Sequence, residues 1–95
     1  MITVQVKSFI KEIIGKPYLE MEVEEGTTAK QLLIQLAQNQ SPEIRNNLFN
    51  PETGEIYPHY MILINGKVAS RLPEGIHTPL KNGDEVSILI LLAGG

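Results

Sequence analysis

The chain has 95 residues, 42% of them hydrophobic and 20% charged, with a net charge of −3 and no cysteine. That length suits one domain with a modest core. It leaves no room for a disulfide framework, a thiolate metal site or a cysteine nucleophile, and the acidic balance gives no electrostatic claim on nucleic acid or anionic membrane. No segment approaches a membrane span, and the start resembles no signal peptide, so the expected location is the cytoplasm.

Ile2, Val4 and Val6 alternate with Thr3, Gln5 and Lys7, the pattern of a half-buried strand. Phe9 to Ile14 mixes apolar and charged residues and closes on the turn signal Gly15-Lys16-Pro17. Tyr18 to Glu24 alternates again, with Leu19, Met21 and Val23 on one face and Glu20, Glu22 and Glu24 on the other. The two strands read as an antiparallel hairpin. The glutamate row reads as a solvated face, because carboxylates two apart on a strand stand too splayed to share an ion.

Glu25-Gly26 breaks the strand, and Thr28 with Gln31 fits a capping box. Ala29, Leu32, Leu33, Leu36 and Ala37 form one apolar stripe at helical spacing. Ser41-Pro42 closes this helix and opens a short second one, with Ile44, Leu48 and Phe49 as its buried side. A loop follows at Asn50 to Gly54. Tyr60 to Ile64 is a third strand, ended by the hairpin dipeptide Asn65-Gly66, and Lys67-Val68-Ala69 begins a short fourth. Arg71 to Pro79 reads as irregular. His59 and His77 each stand without a second ligand at metal spacing, so no metal site is expected. No phosphate loop, dinucleotide fingerprint or Ser-His pair is present. Adjacent Asp84-Glu85 reads as surface charge in a turn.

Leu80 to Gly95 ends the chain. Lys81-Asn82-Gly83-Asp84 is turn chemistry. Val86 to Leu92 is an apolar run that fits a buried central strand better than a helix. Its alternation puts Val86, Ile88, Ile90 and Leu92 on one face and Ser87, Leu89 and Leu91 on the other. Ser87 marks the second face as the one away from the helix, so Leu89 and Leu91, with Leu92 beside the tail, are candidate partner-binding residues on a face expected to turn apolar only there. Ala93-Gly94-Gly95 is thin enough to thread a narrow enzyme slot, with Gly95 carrying the reactive α-carboxylate. With glycine at about 7% of residues, a chance terminal pair has odds of roughly 0.5%.

The order strand, strand, helix, strand, short strand, strand predicts an α+β roll. Its mixed sheet has the last strand beside the first at the centre and one main helix on one face. This is the β-grasp or ubiquitin-like arrangement, in a single domain over 1–95 with a tail at 93–95.

Several stretches carry a family likeness. They are S-F-I-K-E-I-I-G-K at 8–16, E-V-E-E-G-T-T-A-K-Q-L-L at 22–33, I-L-I-N-G-K at 62–67 and T-P-L-K-N-G-D-E-V-S-I at 78–88, with the final A-G-G. Together, and in this order, they resemble the small sulfur-carrier proteins, MoaD-like and ThiS-like. The likeness is nearest to the small subunit of molybdopterin synthase. Ile90-Leu91-Leu92 departs from the pattern, where MoaD-like tails commonly carry proline.

The resemblance implies that a ubiquitin-activating-like enzyme (MoeB/ThiF-like) uses ATP to adenylate the Gly95 carboxylate. A sulfur donor protein then converts it to a thiocarboxylate. The large synthase subunit (MoaE-like) holds the pterin precursor that receives the sulfur. The carrier itself binds no cofactor and is not an enzyme alone. A protein modifier joined through Gly95 to lysines, a thiamine-pathway carrier and a bare interaction module are the alternatives.

Overall fold

The computed structural model describes residues 1–8, 18–38, 45–46 and 48–90, with Ile90 described in its backbone only. Five strands form one sheet: β1 (Ile2–Ser8), β2 (Tyr18–Val23), β3 (Tyr60–Ile64), β4 (Lys67–Val68) and β5 (Glu85–Ile90). Their order is β2-β1-β5-β3-β4. β1 and β2 pair antiparallel from Ile2↔Val23 to Lys7↔Tyr18, and the connection at 9–17 lies outside the described residues. β5 runs parallel to β1 and antiparallel to β3, so the last strand is the middle one. This is the expected β-grasp roll.

Helix α1 (Ala29–Gln38) covers one face. Its start is a capping box: the Thr28 hydroxyl accepts from the Gln31 N–H at 3.2 Å, and the Gln31 side-chain oxygen accepts from the Thr28 N–H at 3.0 Å. Gly26, at φ +88°, turns the chain out of β2 in a conformation that favours glycine. The helix entry is also tied to the segment before β5. Ala29 N–H donates to the Thr78 carbonyl, and Leu80 N–H to the Thr27 carbonyl. The buried stripe is Ala29, Leu32, Leu33, Leu36 and Ala37, as the spacing predicts. It packs on Val4, Val6, Val23, Ile62, Ile64, Val86 and Ile88 in one core.

The expected second helix lies partly outside the described residues, which omit 39–44 and therefore Ser41, Pro42 and Ile44. Arg45, Asn46 and Leu48 are helical, and Leu48 and Phe49 are buried as expected. The hairpin at Asn65-Gly66 also forms, with φ +52° and +81°. Two consecutive positive values match the strand twist in two-residue hairpins, and Asn followed by Gly accepts them at low cost.

The sequence reading needs several corrections. β1 continues through Ser8, while β2 stops at Val23. Ala69 does not extend β4: it turns inward, almost fully buried, and opens a short 3-10 helix over Ala69–Arg71. Arg71 to Pro79 is not irregular throughout, because a second 3-10 helix spans Gly75–His77. The last strand starts at Glu85 and is described only to Ile90, so its expected end at Leu92 lies outside the described residues.

The turn before β5 also departs from expectation. Asp84 is a structural pin, not idle surface charge. One carboxylate oxygen accepts from the Asn65 side-chain amide at 2.9 Å, and the other from the Lys81 N–H at 2.8 Å. Asn65 returns the link by accepting from the Glu85 N–H at 2.9 Å, and its own N–H donates to the Glu85 carbonyl at 2.8 Å. On the other side the Gln5 N–H donates to the Asp84 carbonyl at 2.9 Å. One residue therefore sets the entry of β5 against both neighbours. Asp84→Ala removes two hydrogen bonds to a charged group and should destabilise the fold by about 1–3 kcal/mol. Urea denaturation should show a lower midpoint with an unchanged slope.

Candidate functional site

The described part of β5 shows how its end is held. Val86 and Ile88 are fully buried against the helix side, and Ser87 and Leu89 point to the opposite face and are half-buried. The register places Ser87 between Lys7 of β1 and Leu63 of β3, and Leu89 opposite Met61. Ile90, the last described residue, pairs with Tyr60 at the start of β3. The proposed tail residues Ala93, Gly94 and Gly95, and the partner-binding candidates Leu91 and Leu92, lie outside the described residues. Leu89 stands on the outer face, where the alternation predicts it.

The outer face is not apolar only beside the tail. Directly opposite partners share a face, so Leu89 with Met61, and Leu63 with Val68, form one apolar strip across β5, β3 and β4. All four are half-buried. Met61, Leu63 and Val68 are the members that sequence reasoning missed. The signal was present: Tyr60 to Ile64 is apolar on both faces, which a strand with one solvated face is not. Without the sheet order, nothing placed that second apolar face beside Leu89.

At the β4 side the strip runs into a cavity of about 330 Å³ lined by Ile56, Tyr57, Tyr60, Met61, Val68 and Ile76, among others. His59 stacks at its rim, with ring centroids 5.6 Å from Tyr57 and 4.3 Å from Tyr60. Packing between two tyrosines accounts for His59, and His77 ends the second 3-10 helix. Among the described residues, no group of three His, Asp or Glu side chains is placed to hold a metal ion, and no helix is long and apolar enough to cross a membrane.

The other half of the outer face is polar. Thr3, Gln5 and Lys7 on β1 face Glu22, Glu20 and Tyr18 on β2. Lys7 Nζ lies 3.1 Å from Glu85 Oε2, with both side chains well exposed. Such a pair contributes no more than about 1 kcal/mol. With both Asp84 oxygens engaged in the turn and Glu85 paired with Lys7, neither acidic residue is poised as a general acid or base.

The comparisons agree with this geometry. The ThiS family model matches residues 4–95. An Archaeoglobus fulgidus protein named as a sulfur carrier is 33% identical over 90 residues, covering 95% of this chain and 98% of that one. Small archaeal modifier protein 3 of Haloferax volcanii is 31% identical over 85 residues, covering 90% and 88%. Among solved structures, small archaeal modifier protein 1 of Methanosarcina acetivorans superimposes with a TM-score of 0.82 at 30% identity, over 100% of this chain and 98% of that one. The Urm1 protein of Trypanosoma brucei, at 20% identity and a TM-score of 0.77 over 98% and 95%, shares the fold. The family match spans the sheet, the helix and the strand that leads to the tail, and on that extent the chain belongs to the ThiS family.

Proposed function

We propose that this protein is a sulfur carrier whose working group is the α-carboxylate of Gly95. The observation that carries this reading is the position of β5. The strand leading to Gly95 is the central one, bonded on both sides, and its described end at Ile90 sits opposite Tyr60. A tail attached there has a rigid base, and Gly94 and Gly95 offer no side chain to obstruct a narrow active site. Membership of the ThiS family supports the same reading.

The chemistry belongs to partners. A ubiquitin-activating-like enzyme holds ATP and the tail together. A Gly95 carboxylate oxygen attacks the α-phosphorus, and pyrophosphate leaves. Hydrosulfide released by a donor protein then attacks the acyl carbon. AMP leaves with the bonding electron pair, and the terminus becomes a thiocarboxylate. With no cysteine in the chain, the sulfur rides on the terminus itself. The acceptor we favour is a pterin precursor held by a molybdopterin synthase large subunit, the route the MoaD-like stretches imply. Leu89, with Met61, Leu63 and Val68, is the docking surface that seats the partner while the tail enters.

A second reading has specific support. Both the Haloferax volcanii and the Methanosarcina acetivorans proteins are named small archaeal modifier proteins, and an acyl-adenylate is also open to attack by a deprotonated lysine amine, with AMP leaving. Mass spectrometry of host proteins decides: branched Gly-Gly remnants on lysines support the modifier, and both roles are chemically compatible.

Three outcomes test the proposal. A chain shortened to end at Ala93 should keep its melting temperature, since neither glycine has a side chain to bury, and should lose all adenylation. Extension beyond Gly95 should block the reaction as completely; transfer of AMP to an extended terminus would refute the mechanism. Protein purified from a host with a working activating enzyme should contain a form heavier by one oxygen-for-sulfur exchange on the C-terminal peptide. Finding only the free acid in sulfur-replete cells would count against the carrier. Finally, Leu89→Asp should weaken partner binding about ten-fold, for loss of roughly 1.5 kcal/mol of apolar contact, in a domain that stays folded. Ile88→Asp puts a carboxylate into the core and should unfold it. Equal unfolding by both would make Leu89 part of the core.

A further inference from the structure

The edge strand β2 carries charge that nothing in the described structure neutralises. Glu20, Glu22, Glu24 and Glu25 are all exposed. The residues opposite Glu20 and Glu22 are Gln5 and Thr3, both neutral. The β1 lysine on this face, Lys7, is turned to Glu85 instead. No ion pair joins any of the four glutamates to a described residue. Among the described residues these four carboxylates, gathered within six positions, meet no counter-charge. Glu20 and Glu22 stand about 6–7 Å apart and repel, so the row costs the isolated domain stability.

The register joins this row to the apolar strip. Glu20, Gln5 and Glu85 lie side by side across β2, β1 and β5. Glu85, Ser87 and Leu89 then follow at alternate positions along β5, on the same face. The outer face is therefore graded: carboxylates at the β2 edge, neutral Thr3 and Gln5 on β1 with the Lys7–Glu85 pair beside them, and apolar groups from Leu89 to Val68. β2 lies two strand spacings from β5 and three from β3, or about 10 and 14 Å, and Glu20, level with Glu85, is offset from Leu89 by four residues, about 13 Å along the strands.

We propose that this face takes a partner surface bearing a strip of lysine or arginine about 15–20 Å from an apolar patch, with the β2 glutamates receiving the basic strip. The inference rests on the reading of the Leu89 face as a docking surface and adds the chemistry and orientation of what docks there. Turned end for end, the partner would press its apolar patch on charged carboxylates and leave its cations over leucine and methionine. Only one orientation satisfies both ends, and it leads the tail from Ile90 towards a single point on the partner. The carboxylates act at long range on encounter, and the apolar strip holds the complex afterwards.

The two contributions separate by kinetics and salt. Association and dissociation of the host's ATP-dependent adenylating enzyme are followed with the intact protein, with Glu20→Lys/Glu22→Lys, with Glu20→Gln/Glu22→Gln and with Leu89→Asp. At low salt the double lysine variant should associate at least about ten times more slowly, with dissociation nearly unchanged and the glutamine variant in between. Near 1 M salt, where charges are screened beyond about 3 Å, the three should converge. Leu89→Asp should instead speed dissociation at every salt concentration. Circular dichroism of each variant establishes that it is folded. A folded double lysine variant that associates at the normal rate in low salt overturns the inference, and the glutamate row then serves only to keep an exposed edge strand from pairing with other chains. If Leu89→Asp also binds normally, the docking reading of the face falls with it; if Leu89→Asp alone is impaired, that reading stands and only the basic partner strip is rejected.

Discussion

The structure depends on the insertion of its last strand between β1 and β3. A strand bonded on both sides and buried by the helix must be apolar on the helix face and exact in register, since a slip of one residue would turn Ile88 outward and Ser87 into the core. The register is secured at the strand's entry, where the Asn65 side chain donates to the Asp84 carboxylate and Asn65 exchanges hydrogen bonds with the Glu85 backbone. Asn82 adds a further tie by accepting from the Thr3 N–H at 2.9 Å. These polar contacts sit at the opposite end of β5 from the tail. The entry is fixed by turn chemistry, the middle by packing, and the exit is left for the chain end.

The proposed function asks for a terminal carboxylate on a stable base and a surface that positions it. The core provides the base: Val86 and Ile88 are fully buried beneath the helix stripe. The surface comes from the other sides of the same strands. Because side chains alternate, a strand that anchors the fold through Ile88 must present Leu89 on the opposite face. The residue is half-buried there, beside Met61, and the strip they begin continues through Leu63 to Val68. Core packing and the proposed docking surface are thus assigned to adjacent residues.

The contrast between the two edges of the sheet follows from the strand order. β2 is an edge strand bearing alternate glutamates, and charge there resists pairing with other chains. β4 is only two residues long, and beyond it Ala69 turns into a 3-10 helix beside the cavity lined by Tyr57 and Tyr60. One edge is therefore charged and the other aromatic and apolar, with β5 between them.

Much of the fold was legible in local patterns. Alternation marked β1 and β2, Thr28 and Gln31 marked the helix start, and Asn65-Gly66 marked the hairpin, because each depends on residues within a few positions of one another. The 3-10 turn at Ala69 was not legible, since the burial of one alanine under neighbours distant in sequence outweighed the local preference for strand. The role of Asp84 was also hidden: its partner Asn65 lies nineteen residues away, and only the folded turn brings them to 2.9 Å. For the site, the chain itself specified the Gly-Gly end and the alternation that turns Leu89 outward, both properties of consecutive residues. Which strands would flank Leu89, and hence that Met61, Leu63 and Val68 continue its strip while Glu20 and Glu22 border the far side, was decided by tertiary structure alone, because cross-strand neighbours are set by sheet order and register rather than by distance along the chain.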